Sequence, residues 1–207
     1  LDAAGRYIDS ISHFNGPRKR RLYSNETRNK MNGSFERGEK LYREIASSVT
    51  TDDAIDNLLY LDSKTYLPSD ILTKVDRMSM ANSLEARCPL LDHRLIEYVM
   101  RIPSAMKLNG RKTKYIFKKA LSTIVPSDIL HREKQGFGVP INDWINLHLK
   151  DRIQSDLSDQ RSISRGYFDP KYVNVLLDEH RRGRRDHSHA LWTLWMLELW
   201  HRRYIDS

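Results

Sequence analysis

The sequence predicts a mainly helical chain, and two observations carry that prediction. Apolar residues recur mostly three or four positions apart, which is the spacing of one face of an α-helix. The strand signal is weak, and glycine occurs only 9 times in 207 residues. A composition of 39% hydrophobic and 30% charged residues is that of a globular rather than a disordered protein. The length suits one well-cored domain, so we predict a single helical segment over residues 1–207.

In the first half of the chain, prolines and capping residues separate the predicted helices. Asp53 ends a Thr-Asp-Asp run that can cap a helix, and this helix is predicted to end before Pro68. Pro68 suits the first position of the next helix, which is predicted to run to about residue 82. Asp92 can cap a helix over 93–101. The earlier segments are predicted as a short helix over 1–14, short helical turns over 18–30 and a helix over 35–47.

In the second half, two loops interrupt the helical pattern. Residues 103–110 and 133–140 are rich in glycine or proline and are predicted as loops. Helices are predicted over 113–125, 144–157, 170–182 and 189–203, and Gly183 stands where a helix end favours a left-handed residue. The last helix carries three tryptophans and is apolar around most of its circumference, so we predict a buried core helix.

The basic composition raises the question of an anionic partner. The net charge is +8, and cations are concentrated in the runs 18–21 and 181–185. Nucleic acid is one candidate partner, and a polyphosphate such as ATP or pyrophosphate is another. Around the run at 181–185 no nucleic-acid-binding module is recognised, and cations there also complement the dipole of a helix C-terminus.

Compartment and membrane signals point to a cytoplasmic protein. Cys88 is the single cysteine, which excludes an internal disulfide framework and suits a reducing compartment. The apolar run near the C-terminus is broken by Glu198 and is too short to span a bilayer, so we expect no membrane association. His180, His187 and His189 lack the cysteine or carboxylate spacing of a closed metal site, and we predict no metal site.

The most unusual stretch is D-I-L-T-K-V-D-R-M-S-M, which begins at Asp70 and is followed by L-E-A-R-C-P-L-L-D from residue 84. Asp70 and Lys74 are four residues apart and can pair on one helix face, with Arg77 one turn further. Glu85 and Arg87 stand among apolar residues, so both are predicted to be at least partly buried and to belong to an ion-pair network. From the residues alone, a network that only holds helices together is favoured over a functional site.

The predicted loop at 133–140 is the second feature. It follows His131 and Arg132. Within it, Lys134 stands between a glutamate and a glutamine, and two glycines come shortly after. A cation cluster before a glycine-containing loop can contact a phosphate group and close over it. The alternative is a solvated surface loop.

Five motifs in order resemble the synthetase domain of glutamine-hydrolysing, B-type asparagine synthetases. They are the two stretches beginning at Asp70 and Leu84, Y-I-F-K-K-A from Tyr115, R-E-K-Q-G-F from Arg132, and L-W-T-L-W-M-L-E-L-W-H-R from Leu191. The resemblance runs from about Asp52 to the end and is looser over the first fifty residues.

This resemblance implies a helical C-terminal portion of an α/β ATP-pyrophosphatase domain, of the adenine nucleotide alpha hydrolase type. Such enzymes use Mg-ATP to adenylate the side-chain carboxylate of aspartate, and ammonia released from glutamine then gives asparagine, AMP and pyrophosphate. Lys134 matches the lysine that contacts the phosphates. Asp70, Lys74 and Arg77 are predicted to border the substrate and ATP pocket, while Glu85, Arg87 and Asp92 are predicted to form a structural ion-pair network.

Several parts of such an enzyme are absent from this sequence. The S-G-G-x-D-S loop, the acidic metal ligands after it and the N-terminal cysteine nucleophile are predicted to lie upstream of Leu1, in synthetase and glutaminase portions of the same polypeptide. We therefore predict that the chain alone neither hydrolyses glutamine nor adenylates aspartate. Three alternatives stay open: a non-catalytic basic module that binds nucleic acid or protein, an enzyme acting on another carboxylate, and a relative that has lost activity. Homodimer formation is also left open.

Overall fold

The computed structural model describes residues 3–49, 51–133, 136 and 138–206, with Ala3 and Phe35 described by their backbone alone. The predicted mainly α class is confirmed. Fifteen α-helices and one short antiparallel hairpin are found in this part of the chain. The α-helices are α1 Ala3–Ile11, α2 Gly16–Leu22, α3 Asn25–Met31, α4 Arg37–Ser47, α5 Ala54–Lys64, α6 Thr73–Met80, α7 His93–Met100, α8 Ser104–Lys107, α9 Tyr115–Leu121, α10 Ser127–His131, α11 Ile141–Trp144, α12 Lys150–Ser158, α13 Gln160–Ser164, α14 Pro170–Arg181 and α15 Ser188–Tyr204. The strands are β1 Leu108–Asn109 and β2 Lys112–Thr113, and the remaining helical turns are 3-10 at Ser34–Glu36 and Pro89–Leu91 and π at Leu67–Leu72 and Ile145–Leu149.

The chain forms two compact units. One, which we name the middle unit, contains Tyr42–Gly136 and the first residues of the chain. The other, the terminal unit, contains Gly5–Leu41 and Phe137–Ser207. The expectation of a single helical segment over the whole chain stays a prediction.

The terminal unit has a hydrophobic core built by α12, α14 and α15. Ile153 on α12, Leu176 on α14 and Leu191 on α15 are each at most 2% exposed, because the apolar stripe of each helix faces the other two. Leu22 from α2 joins the same core. Removing this apolar area from water is the main source of stability for the unit.

The middle unit has much less of a core. Leu61 on α5 is the one apolar side chain in its described part that is below 9% exposed. Polar contacts join α8 to the start of α5: the Lys107 ammonium donates to Asp56 Oδ1 at 2.7 Å, and the Ser104 hydroxyl donates to Asp53 Oδ2 at 2.6 Å. Asp53 also caps α5 by accepting from the backbone N–H groups of residues 55 and 56, as its position in the sequence predicts.

Some elements differ from the sequence-based predictions. The predicted loop at 103–110 contains α8 and β1, because Lys107 is buried against Asp56 and Gly110, at φ +57°, allows a tight hairpin turn. The predicted helix from Pro68 begins as a π turn, in which Thr73 Oγ1 donates to the Pro68 carbonyl at 2.9 Å. The short helices α10 and α13 were not predicted. Gly183 adopts φ +64°, which confirms the predicted left-handed helix end.

The last helix lies where it was predicted, but only one side of it is buried. Leu191, Leu194 and Trp195 are buried, whereas Trp200 is 48% exposed. The buried side of α15 also includes Glu198, at 4% exposed. An apolar composition around the helix therefore did not by itself distinguish the core side from the exposed side.

Candidate functional site

The candidate site in the middle unit begins with the pair of Asp70 and Lys74. Lys74 Nζ lies 2.8 Å from Asp70 Oδ2, which confirms the pairing predicted from their spacing. The hydrogen bond that Lys74 donates to Asp70 raises the pKa of Lys74 above its ordinary value, so the ammonium stays charged at neutral pH. Both side chains are more than 40% exposed, and Arg77 is exposed further along α6. With Asp76, which is also exposed, this segment presents two cations and two carboxylates to solvent.

The prediction that Glu85 and Arg87 are partly buried is wrong for this chain. Their side chains are 69% and 82% exposed and pair with each other, Arg87 Nε lying 2.9 Å from Glu85 Oε1. Asp92 forms a separate two-point contact with Arg94 and caps α7 through the Arg94 backbone N–H. The segment from 84 to 88 has no regular secondary structure and is exposed, so nearby apolar residues do not remove these charges from water. That they tie helices together stays a prediction.

Lys134, the predicted phosphate contact, lies outside the described residues. Its neighbours Arg132 and Glu133 are exposed, and an added Cβ at Gly138 would meet no atom within 4 Å. The role of Lys134 stays a prediction.

Large apolar side chains are exposed around the candidate site. They include Met78 and Met80 on α6, Leu84 after it and Leu90 before α7, each more than half exposed. A monomeric protein rarely leaves so many large apolar residues uncovered in one region, and such patches mark interaction surfaces. The cations of α6 therefore border an apolar surface, and that they also border a substrate pocket stays a prediction.

A buried charge cluster in the terminal unit was missed by the sequence analysis. Glu198 accepts hydrogen bonds from Arg165 at 2.7 and 3.2 Å and from Arg202 at 2.8 Å. Arg202 also reaches Asp156, which accepts from the Trp195 indole N–H at 2.8 Å. Burial alone would raise the pKa of Glu198, but the hydrogen bonds from the two arginines outweigh it and lower the pKa. A glutamate inside an apolar helix was the available signal, since a buried charge needs partners.

The histidines before α15 form polar contacts in the terminal unit. His187 Nε2 lies 2.6 Å from Glu179 Oε2, and His180 Nδ1 accepts from the His187 backbone N–H at 3.2 Å. In the part of the chain that the structure describes, no group of three or more His, Cys, Asp or Glu side chains is placed to hold a metal ion.

Acidification from pH 7 to pH 5 is expected to destabilise the terminal unit through His180. Burial, followed by the charge of His187 and Lys150, lowers its pKa against the opposing effect of Asp186. The folded state therefore prefers neutral His180. The free energy of unfolding is highest above the unfolded-state pKa of about 6.5, and it decreases as the pH falls from that value towards the folded-state pKa. Unfolding by urea, followed by tryptophan fluorescence, measures this slope. In His180→Asn, whose amide oxygen can accept from residue 187, the slope should be smaller, whereas His93→Asn at an exposed position should leave it unchanged; an unchanged slope in His180→Asn would contradict the assignment.

Comparison with known proteins decides the family. The model of the family described as asparagine synthase matches residues 4–202, nearly the whole chain. The chain belongs to the asparagine synthase family. The resemblance found from the five motifs is thereby confirmed, and the match also includes most of the first fifty residues, which resembled the family only loosely.

Three relatives illustrate the similarity within the asparagine synthase family. Asparagine synthetase 1 (glutamine-hydrolyzing) of Bacillus subtilis strain 168 is 34% identical over 170 residues, covering 80% of this chain and 27% of the relative. A putative asparagine synthetase (glutamine-hydrolyzing) of Mycobacterium tuberculosis strain H37Rv is 39% identical over 155 residues, covering 74% of this chain and 24% of the relative. Asparagine synthetase 3 (glutamine-hydrolyzing) of B. subtilis strain 168 is 35% identical over 127 residues, covering 61% of this chain and 20% of the relative.

The chain spans about a quarter of the length of the first two of these relatives. No solved structure matches this chain. Among the described helices, none combines the length and the apolar character that crossing a membrane requires.

Proposed function

We propose that this chain is the helical part of an asparagine synthetase, which uses ATP to amidate aspartate to asparagine. The observation that carries the proposal is the family match over residues 4–202. In the proposed reaction, the aspartate side-chain carboxylate attacks the α-phosphorus of ATP and releases pyrophosphate. Ammonia derived from glutamine then attacks the acyl carbon of the β-aspartyl-adenylate, and AMP leaves with the electron pair of the broken acyl–oxygen bond.

The roles proposed for this chain are electrostatic. The Lys134 ammonium would stabilise charge that develops on the α-phosphate and on the departing pyrophosphate. Asp70, Lys74 and Arg77 would border the pocket, and the exposure of this helix face leaves it accessible to a nucleotide. The described residues offer no cluster of carboxylates for the Mg²⁺ that accompanies ATP, so we assign it no ligand in this chain and no step to it.

The uncovered apolar surface of the middle unit supports the proposal that further protein packs against it. We propose that this surface packs against the ATP-pyrophosphatase part of the same synthetase, which would also carry the phosphate-binding loop. Relatives about four times as long as the matched segment have the length for such a part and for a glutaminase portion. On this proposal the described chain by itself neither adenylates aspartate nor hydrolyses glutamine.

The proposal is tested in a chimera. The matching segment of asparagine synthetase 1 of B. subtilis is replaced by the corresponding residues of this chain, and asparagine and pyrophosphate are measured with Mg-ATP, aspartate and ammonia. We expect both products. Lys134→Ala in the chimera is expected to lower the rate by about 10² to 10³, the loss typical of removing one preorganised group that stabilises a transition state.

The matched control is Lys30→Ala, which removes an exposed lysine that pairs with Glu26 in its own helix. It should leave the rate within about twofold. A folded chimera that hydrolyses glutamine but forms no asparagine would overturn the proposal. A Lys134→Ala rate equal to that of the Lys30→Ala control would remove the role of Lys134 alone.

A further inference from the structure

A cleft in the terminal unit lies between α2, α3 and the start of α14. Its volume is about 600 Å³, within the range of small-molecule sites. Four cationic side chains line it, Arg20, Arg21, Arg28 and Lys171, against one carboxylate, Asp169. Two of the arginines belong to the basic run at 18–21, which the proposed synthetase chemistry does not use.

The walls of the cleft are held together by backbone hydrogen bonds. The Asp169 N–H donates to the Leu22 carbonyl at 2.8 Å, and the Ser24 N–H donates to the Tyr167 carbonyl at 3.0 Å. Tyr23 and Phe168 form an antiparallel bridge between these contacts. The segment after α2 and the start of α14 are therefore fixed relative to each other before any ligand binds, which lowers the entropy cost of binding.

The cleft keeps a net positive charge after Glu36 and Asp169 are counted. Arg20 pairs with Glu36, but Arg21, Arg28 and Lys171 form no ion pair in the part of the chain that the structure describes. The Asp169 carboxylate is used as the cap of α14, where Oδ1 accepts from the Lys171 backbone N–H at 2.8 Å. Arg28 donates to the Asn25 side-chain oxygen, and its Nε has no hydrogen-bond partner among the described atoms. Unused donors therefore remain on three cations around one cavity.

Aromatic side chains position one of these cations and add a surface for a ring. The Arg21 guanidinium carbon lies 4.6 Å from the ring centroid of Tyr172, a cation–π contact that holds the group at the wall. Tyr23 lines the same cleft. Guanidinium groups bind phosphate oxygens with two parallel hydrogen bonds, and a lysine adds a point charge.

We propose that this cleft binds a phosphate-bearing small molecule through Arg21, Arg28 and Lys171. The proposal uses residues of the terminal unit alone and does not depend on the proposed function. A free phosphate or pyrophosphate and the phosphate of a nucleotide share the chemistry that the cations recognise.

The proposal is tested by calorimetric titration of the full chain at about 0.15 M salt with pyrophosphate and, in parallel, with AMP. Saturable binding is expected, weakened about 10-fold in Arg21→Ala and in Lys171→Ala and at least about 100-fold in the double variant. Lys30→Ala, which removes an exposed lysine that does not line the cleft, should bind as well as the parent chain. Tighter binding of AMP than of pyrophosphate would identify a nucleotide as the ligand type. Tighter binding of pyrophosphate than of AMP would identify a free phosphate compound.

The matched control changes the net charge equally at the other basic run. Arg21→Glu/Lys171→Glu should abolish binding, whereas Arg181→Glu/Arg184→Glu, at exposed positions outside the cleft, should keep it within about threefold. Tryptophan fluorescence establishes that each variant is folded, because all four tryptophans lie in the terminal unit. The absence of saturable binding in the folded parent chain, equal loss in both charge-reversed variants, or loss in Lys30→Ala would overturn the proposal.

Discussion

Replacing Arg165 by alanine is expected to destabilise the terminal unit by about 3 kcal/mol. The Arg165 side chain is 12% exposed and contacts Glu198, whose side chain is 3% exposed, through two hydrogen bonds. Removing one partner of a buried ion pair leaves the other charge uncompensated, at a cost of about 3–5 kcal/mol. Arg202 still donates to Glu198, so the lower end of this range is expected.

Equilibrium unfolding in urea, followed by tryptophan fluorescence, measures the loss. Arg182→Ala is the matched control, because its ion pair with Asp178 is exposed and should contribute less than about 1 kcal/mol. The pH dependence gives a second readout. Because the folded-state pKa of Glu198 is lowered, the stability it contributes is present above its unfolded pKa of about 4.3 and is lost as pH falls through the folded pKa. This acid-side loss should shrink in Arg165→Ala; equal stability of the Arg165 and Arg182 variants would contradict the assignment.

Amide hydrogen exchange in the isolated chain is expected to be at least about 100-fold faster in the middle unit than in the terminal unit. The terminal unit buries a continuous apolar core between α12, α14 and α15. In the described part of the middle unit, Leu61 is the one apolar side chain of comparable burial, while side chains such as Met78 and Leu84 are exposed. Few buried apolar contacts give a low free energy of local opening.

Mass spectrometry of peptides from α6, α7 and α9, compared with peptides from α12, α14 and α15, measures this difference. Leu191→Ala provides the control, since a cavity in the terminal core should speed exchange there and leave the middle unit unchanged. In the chimera proposed above, the middle unit should gain protection as its apolar surface is covered. Equal protection of the two units in the isolated chain would show that the middle unit is stable without further protein.

The elements predicted correctly depend on residues close in sequence. Asp53 caps α5 through N–H groups two and three residues away, and Asp70 meets Lys74 one helical turn later. Helix periodicity and capping need no knowledge of the rest of the chain. The same holds for Gly183, where the end of a helix requires a left-handed residue.

The predictions that were wrong concern burial. Glu85 and Arg87 stand between apolar residues in the sequence, yet both are exposed because no other element of the described chain covers that segment. The opposite holds for Glu198, which is buried because Arg165, 33 residues away, and Arg202 compensate its charge. Sequence neighbours do not determine whether a side chain is covered, since covering is done by elements far along the chain.

The sequence by itself determined the helical class, the main helix positions and, through five ordered motifs, the family. Those properties follow from local periodicity, capping chemistry and residue identity, which a linear chain already contains. Only the tertiary structure decided that the core lies in the terminal unit, that the middle unit leaves apolar surface uncovered, and that Arg21 and Lys171 line one cleft. That last arrangement depends on contacts between residues more than 130 positions apart. One is the hydrogen bond from Thr27 on α3 to the carbonyl of Gly166, which precedes α14, over a separation of 139 residues. Contacts at that separation arise when distant apolar faces pack together, and no local pattern specifies which faces will meet.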